Sequence, residues 1–95
     1  MTVVTGSFTA TGNSSALMPK NKQGGIESFM NVSLSGTWVG TVLLERSFDG
    51  GTTWHTYATH TANVEDKVPE SEEGVLYRLN CSAYTSGTIN YRLSI

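Results

Sequence analysis

The sequence predicts an all-β domain, an antiparallel β-sandwich or jelly-roll of about seven or eight strands. Ser and Thr number 24 of the 95 residues and Gly numbers ten, a polar, uncharged and turn-rich composition typical of such folds. Short stretches in which apolar and polar residues alternate recur between turn residues. The length is that of one domain, which we expect to span residues 1–95.

The N-terminal quarter of the chain is weakly patterned. Residues 2–10 are β-prone and predict an edge strand, whereas residues 11–25 are rich in Gly, Asn and Pro and predict a loop with a possible short strand at 16–18. An alternative is that residues 1–23 form an arm that becomes ordered only on binding a partner. The residues expected to contact that partner are Val3, Val4, Phe8, Lys20 and Lys22, although simple exposure of the two lysines in a loop is the competing interpretation.

The middle of the chain predicts three strands. Residues 26–34 alternate, with Ile26, Met30, Val32 and Leu34 on one face and Phe29 interrupting the polar face, and therefore predict a strand with one buried face. Residues 37–48 follow a Ser-Gly turn, and their run from 39 to 44 is apolar on both faces. Such a run indicates a central strand or one covered by a neighbouring subunit. Residues 54–61 are expected to return as the antiparallel partner.

The last third of the chain contains an acidic segment and the clearest alternation. Residues 63–74 hold five of the eight acidic residues, and Pro69 is expected to end a short strand there, followed by an exposed acidic loop. Residues 75–95 predict a long C-terminal hairpin with its turn at 85–87. Cys81 lies on the apolar face of that hairpin, which favours a buried, inert thiol over a reactive or intermolecular one.

The most specific stretch is Ser-Phe-Asp-Gly-Gly-Thr-Thr-Trp at residues 47–54. Asp-Gly between β-prone flanks predicts a tight hairpin turn, because Gly reaches positive φ without a Cβ clash and Asp accepts hydrogen bonds from turn amides. The stretch resembles an Asp-box, a short hairpin found in sialidases and in many unrelated β proteins. The resemblance implies a structural turn and not an activity: Ser47, Asp49 and Gly51, with Gly50 beside them, would shape the turn, and Trp54 would pack beneath it.

Charge and motifs argue against several functional classes. A net charge of −2 provides no field that would hold a nucleic-acid backbone, and no apolar run is long enough to cross a membrane. His55 and His60, five residues apart, are expected on opposite faces of one strand and hence not at one metal. No nucleophile or phosphate-binding motif occurs, so we predict a protein that is not an enzyme and has no cofactor. The absence of a secretory signal predicts synthesis in a cytoplasm.

Three stretches, Asn31–Val42, Leu44–Gly51 and Gly74–Leu79, resemble small β-rich virion proteins of tailed bacteriophages, with the similarity extending from Asn31 to Leu93. The resemblance implies a head decoration (cement) protein that binds the major capsid protein or another virion protein, stabilises the outer head shell, assembles as a homotrimer and resides in the virion. Small size without disulfides or metal independently favours assembly. The alternative is a carbohydrate- or receptor-binding module of a tail, a fibre or a cell surface, with Tyr and Trp side chains lining its binding face.

Overall fold

The computed structural model describes residues 3–19, 28–70, 72 and 74–95, which form two antiparallel sheets of four strands each. Sheet I has the order β1-β8-β3-β6 and sheet II the order β2-β7-β4-β5. The predicted antiparallel β-sandwich is confirmed, whereas these orders do not confirm the jelly-roll alternative. The strands are β1 (Val3–Phe8), β2 (Gly12–Asn13), β3 (Ser28–Ser35), β4 (Trp38–Ser47), β5 (His55–His60), β6 (Val64–Glu70), β7 (Leu76–Gly87) and β8 (Ile89–Ser94).

The core lies between the two sheets and is built from the inward faces of the four inner strands. Full burial of one Leu, Ile or Val side chain contributes about 1.5–3 kcal/mol, so this row of side chains is the main source of stability in a chain without a disulfide. Cys81 belongs to the row, and its burial raises the pKa of its thiol. The fully buried core side chains of the inner strands are Met30, Val32, Leu34, Val42, Leu44, Tyr77, Leu79, Cys81, Ile89 and Leu93.

The predicted C-terminal hairpin is wrong. β7 pairs with β2 and β4 in sheet II, whereas β8 pairs with β1 and β3 in sheet I, and the single residue Thr88 separates the two strands. Alternation shows that each strand buries one face, but it does not show which strand is its neighbour. In the described part of the chain, β4 and β5 are the only consecutive strands that are hydrogen-bonded to each other.

Residues 3–19 belong to the sandwich, so the prediction of a separate N-terminal arm is wrong for this part of the chain. β1 is the edge strand predicted within residues 2–10, and it pairs with β8 along its whole length. Phe8 is buried, and Leu17, only 2% exposed, exchanges two 2.8 Å backbone hydrogen bonds with Tyr77. Phe8 and Leu17 therefore belong to the core of the sandwich. Val4 is half-buried against the core, Val3 is exposed, and Lys20 and Lys22 lie outside the described residues.

Pro69 does not end its strand, because β6 continues to Glu70. β6 is the outer strand of sheet I, and proline is tolerated on an edge strand where its missing N–H would face away from the sheet. The predicted exposed acidic loop is also wrong for Glu70, which is only 5% exposed. The sequence indicated the burial of Glu70, since residues two apart on a strand share a face and Val68 lies on the buried one.

No helix long and apolar enough to cross a membrane occurs in the described residues.

The switch from β7 to β8 depends on Gly87, whose φ is 91°. A Cβ there would collide with the backbone carbonyl of Thr37. We expect Gly87→Ala to destabilise the protein by about 3 kcal/mol or more, because it combines left-handed backbone strain with that collision. Gly50→Ala is the matched control, since Gly50 has a φ of 76° but no atom within 4 Å of the added Cβ. If urea unfolding showed that both variants lose the same free energy of unfolding, the proposed collision at Gly87 would be contradicted.

Candidate functional site

The turn between β4 and β5 is closed by two side chains. The Ser47 hydroxyl, fully buried, donates to Asp49 Oδ1 at 2.7 Å and accepts from the Gly51 amide at 2.9 Å. Asp49 Oδ1 also accepts from the amides of Thr52 and Thr53, at 3.2 and 2.9 Å. Gly50 and Gly51 have φ values of 76° and 100°, which side-chain-bearing residues rarely adopt. This segment is the structural turn that the Asp-box resemblance implies.

Trp54 attaches the turn to the outer face of sheet II. Its indole N–H donates to the Gly51 carbonyl at 3.0 Å, and the Arg78 guanidinium lies 4.2 Å from the ring centroid. Arg78 Nε in turn donates to Glu45 Oε1 at 2.9 Å, and the Asn80 amide donates to Glu45 Oε2 at 3.2 Å. Glu45 is buried beneath these groups. The polar chain therefore connects the hairpin to β7 and gives Trp54 a structural role.

The carboxylate of Asp49 is stabilised by its turn contacts. The Thr53 amide and then the Ser47 hydroxyl lower the pKa of Asp49 from 3.8 to about 2. Asp49 is consequently ionised at neutral pH and committed to backbone donors. It is not available as the proton donor of an enzyme site.

The lowered pKa makes the stability contribution of Asp49 depend on pH. Because the folded state favours the ionised carboxylate, this contribution is complete above about pH 4 and is lost as the pH falls through about 2. In Asp49→Asn the group cannot titrate, and its neutral hydrogen bonds are weaker. We expect wild type to have the higher urea midpoint at pH 5 and the difference to shrink towards pH 2. A difference in urea midpoint that stayed constant between pH 5 and pH 2 would contradict the role given to the Asp49 carboxylate.

A second cluster surrounds Glu70 where the two sheets meet at the β5–β6 side. Glu70 Oε1 accepts from the Tyr77 hydroxyl at 2.6 Å and lies 3.6 Å from Arg46 Nη1. Burial, and then the bond to Glu70, raises the pKa of Tyr77 above its ordinary value. The Arg46 guanidinium also lies 5.1 Å from the ring centroids of Phe48 and Tyr57, which are both exposed. Phe48 is the first residue after β4, which ends at Ser47.

The histidine prediction needs correction. A bulge leaves Tyr57 without a partner on β4, so that His55 pairs with Arg46 and His60 with Val42. Both histidines therefore share a face, contrary to the odd-spacing argument. Their partner positions are four residues apart along β4, roughly 13 Å, which is too far for one metal ion. Among the described residues, no group of three or more His, Cys, Asp or Glu side chains could hold a metal.

Exposed apolar side chains mark the outer face of sheet I. Phe29 is 44% exposed and pairs in register with Pro69, also exposed, while the Lys67 ammonium lies 5.1 Å from the Phe29 ring centroid. We refer to Phe29, Pro69 and Lys67 as the Phe29 patch. Sequence alternation placed Phe29 on the otherwise polar face of its strand, and the structure shows it there without a cover from the described residues.

A groove lies between the β3–β4 turn and the segment that joins β5 to β6. The Trp38 indole N–H donates to Asn63 Oδ1 at 2.8 Å, and the Asn63 amide donates to the Gly36 carbonyl at 3.0 Å. These bonds fix the Trp38 ring at the wall of the groove, which has a volume of about 290 Å³. The lining residues, none of them charged, are Gly36, Thr37, Trp38, Thr61, Ala62 and Asn63.

The five turn residues lie together in the β4–β5 hairpin, whereas Val3, Val4 and Phe8, the described members of the expected N-terminal contact arm, lie on β1 of sheet I. Sequence reasoning missed the groove and the burial of Glu70, both of which bring together residues distant in the chain. Comparison of the chain with protein-family models, with curated proteins and with solved structures gives no match.

Proposed function

We propose that the chain is a non-enzymatic structural protein of a bacteriophage particle, a head decoration protein that binds the major capsid protein or another virion protein and reinforces the outer shell. Two things support the proposal. The first is the resemblance of residues 31–93 to phage virion proteins. The second, which carries the argument, is the exposure of the Phe29 patch on the outer face of sheet I, where most other side chains are polar.

The Phe29 patch has the character of a contact surface. When a partner covers an exposed Phe on a sheet face, the burial stabilises the complex by about 25 cal/mol per Å² of apolar area buried. Aromatic side chains are enriched in the buried centres of protein interfaces. Phe29 lies on β3, an inner strand of sheet I, so its ring is flanked by strands on both sides. A sheet face with an exposed aromatic ring suits contact with the outside of an assembled shell.

The contact can be tested by co-sedimentation with phage heads that lack the protein. We expect wild type to sediment with the heads and Phe29→Ser to lose most of this binding while it remains folded, because the substituted side chain is exposed. Val39→Ser is the matched control, since Val39 is 58% exposed but lies on β4 of sheet II. Equal binding by wild type and Phe29→Ser would reject the Phe29 patch as the contact surface. No binding by wild type would reject the decoration function.

A second candidate function is recognition of a neutral carbohydrate, and the groove at Trp38 favours it. An aromatic ring provides a stacking surface, while Thr37, Thr61 and Asn63 provide hydroxyl and amide groups. The absence of charged side chains from its lining suits a neutral sugar over an ionic ligand. The bonds from Trp38 to Asn63 and from Asn63 to Gly36 hold these groups in place without a ligand.

Tryptophan fluorescence tests this candidate, because the chain has only two Trp residues. Trp54→Phe leaves Trp38 as the reporter and should preserve any response to neutral oligosaccharides of glucose, galactose, mannose and N-acetylglucosamine. Asn63→Ala in the same background should weaken the response, since the Trp38 ring loses its hydrogen-bond partner. If no oligosaccharide of the panel changed the Trp38 signal at millimolar concentration, the carbohydrate function would be excluded for these sugars.

A further inference from the structure

Within the described residues, β1 is a sheet edge without the usual protective features. Each sheet has two edge strands: β1 and β6 in sheet I, and β2 and β5 in sheet II. Natural proteins protect such edges with charge, proline, a bulge or short length, because an open edge pairs with other strands. β6 contains charged residues and Pro69, β2 has two residues, and β5 is bulged at Tyr57. β1 has six residues in unbroken register with β8, and Val-Val-Thr-Gly-Ser-Phe includes neither charge nor proline.

We propose that the β1 edges of two copies of this chain pair antiparallel across a twofold axis, which joins two copies of sheet I into one eight-stranded sheet. Backbone N–H and C=O groups on an open edge are complementary to the same edge turned by a half rotation. The absence of charge on β1 means that this self-pairing opposes no like charges. The proposal concerns self-association and does not depend on binding to a capsid.

The side chains of β1 favour a register with Thr5 on the twofold axis. Thr5 then faces Thr5 of the second copy, a cross-strand pair that is favourable in sheets. Val4 faces Gly6 of the second copy, and Val3 faces Ser7. Gly6 is covered by the ring of its own cross-strand partner, Tyr91, because a Cβ at Gly6 would lie 2.7 Å from Tyr91 Cζ. Val4 would therefore pack against the half-buried Tyr91 ring of the second copy.

Pairing across this axis has a geometric consequence. A twofold axis perpendicular to the sheet keeps the outer faces of both copies on one side. The two Phe29 patches of the dimer then face the same direction, one on each half of a continuous sheet. Such a dimer would present two apolar contacts to a single surface, which increases avidity without any new contact type.

The oligomeric state and the register can be tested together. Sedimentation equilibrium of the full chain between 1 and 200 µM is expected to give a mass that approaches twice 10.2 kDa. Thr5→Lys places two like charges opposite each other and should return the mass to that of one chain. Thr59→Lys, a change at a residue that is also exposed and lies on the edge strand β5, should leave the dimer intact. Circular dichroism verifies that both variants fold.

Cross-linking locates the axis. In the proposed register the two Thr5 Cα atoms are about 4.5–5.5 Å apart, within disulfide range, so Thr5→Cys should form a disulfide-linked dimer on mild oxidation, whereas Thr59→Cys should not. Cys81 is buried and does not compete. A wild-type monomer throughout the concentration range, a trimer as the phage resemblance implies, a dimer insensitive to Thr5→Lys, or a dimer without the Thr5 cross-link would each overturn the proposal.

Discussion

The structure depends on burial of the alternating apolar faces between two sheets whose strands come from distant parts of the chain. Within the described residues, every connection between consecutive strands except that of β4 to β5 crosses from one sheet to the other. Sheet hydrogen bonds therefore join strands that the chain itself does not bring together. The buried row that includes Met30, Val42, Leu79 and Leu93 is what holds the two sheets in a common register, because a one-residue slip would move these side chains to the solvent.

The β4–β5 hairpin is the exception, and the hydrogen bonds of its turn are made by residues close together in the chain. Ser47 and Asp49 satisfy the amides of the turn, so the hairpin carries its own hydrogen-bond network. Its connection to the rest of the fold is made on the outer face of sheet II by the contacts from Trp54 through Arg78 to Glu45. A stretch that resembles a motif known from enzymes thus serves here to shape an edge of the sandwich, with its carboxylate bound to backbone amides.

The surface separates into regions of different character. Polar and charged groups that are buried, such as Glu45 and Glu70, are paired with Arg78 and Arg46 and stabilise the sandwich. The exposed features without a structural explanation carry little charge: the Phe29 patch, in which Lys67 is the single charged residue, the β1 edge and the groove at Trp38. Weak charge and open apolar groups suit contact with other proteins or a neutral ligand, and they are poorly suited to nucleic acid. Assembly is the interpretation that combines the largest number of these features.

The sequence by itself determined the approximate positions of β3, β4 and β5, the buried face of β3 and how the turn at 47–54 closes, because period-two alternation and turn chemistry are local properties. The structure contains these features as β3, β4, β5 and the hydrogen bonds of Asp49. Only the tertiary structure decided that β7 and β8 lie in different sheets, that a bulge at Tyr57 brings both histidines to one face, and that Glu70 is buried against Tyr77. Alternation specifies the face of a side chain, whereas strand partners, bulges and buried ion pairs depend on residues far away in the chain.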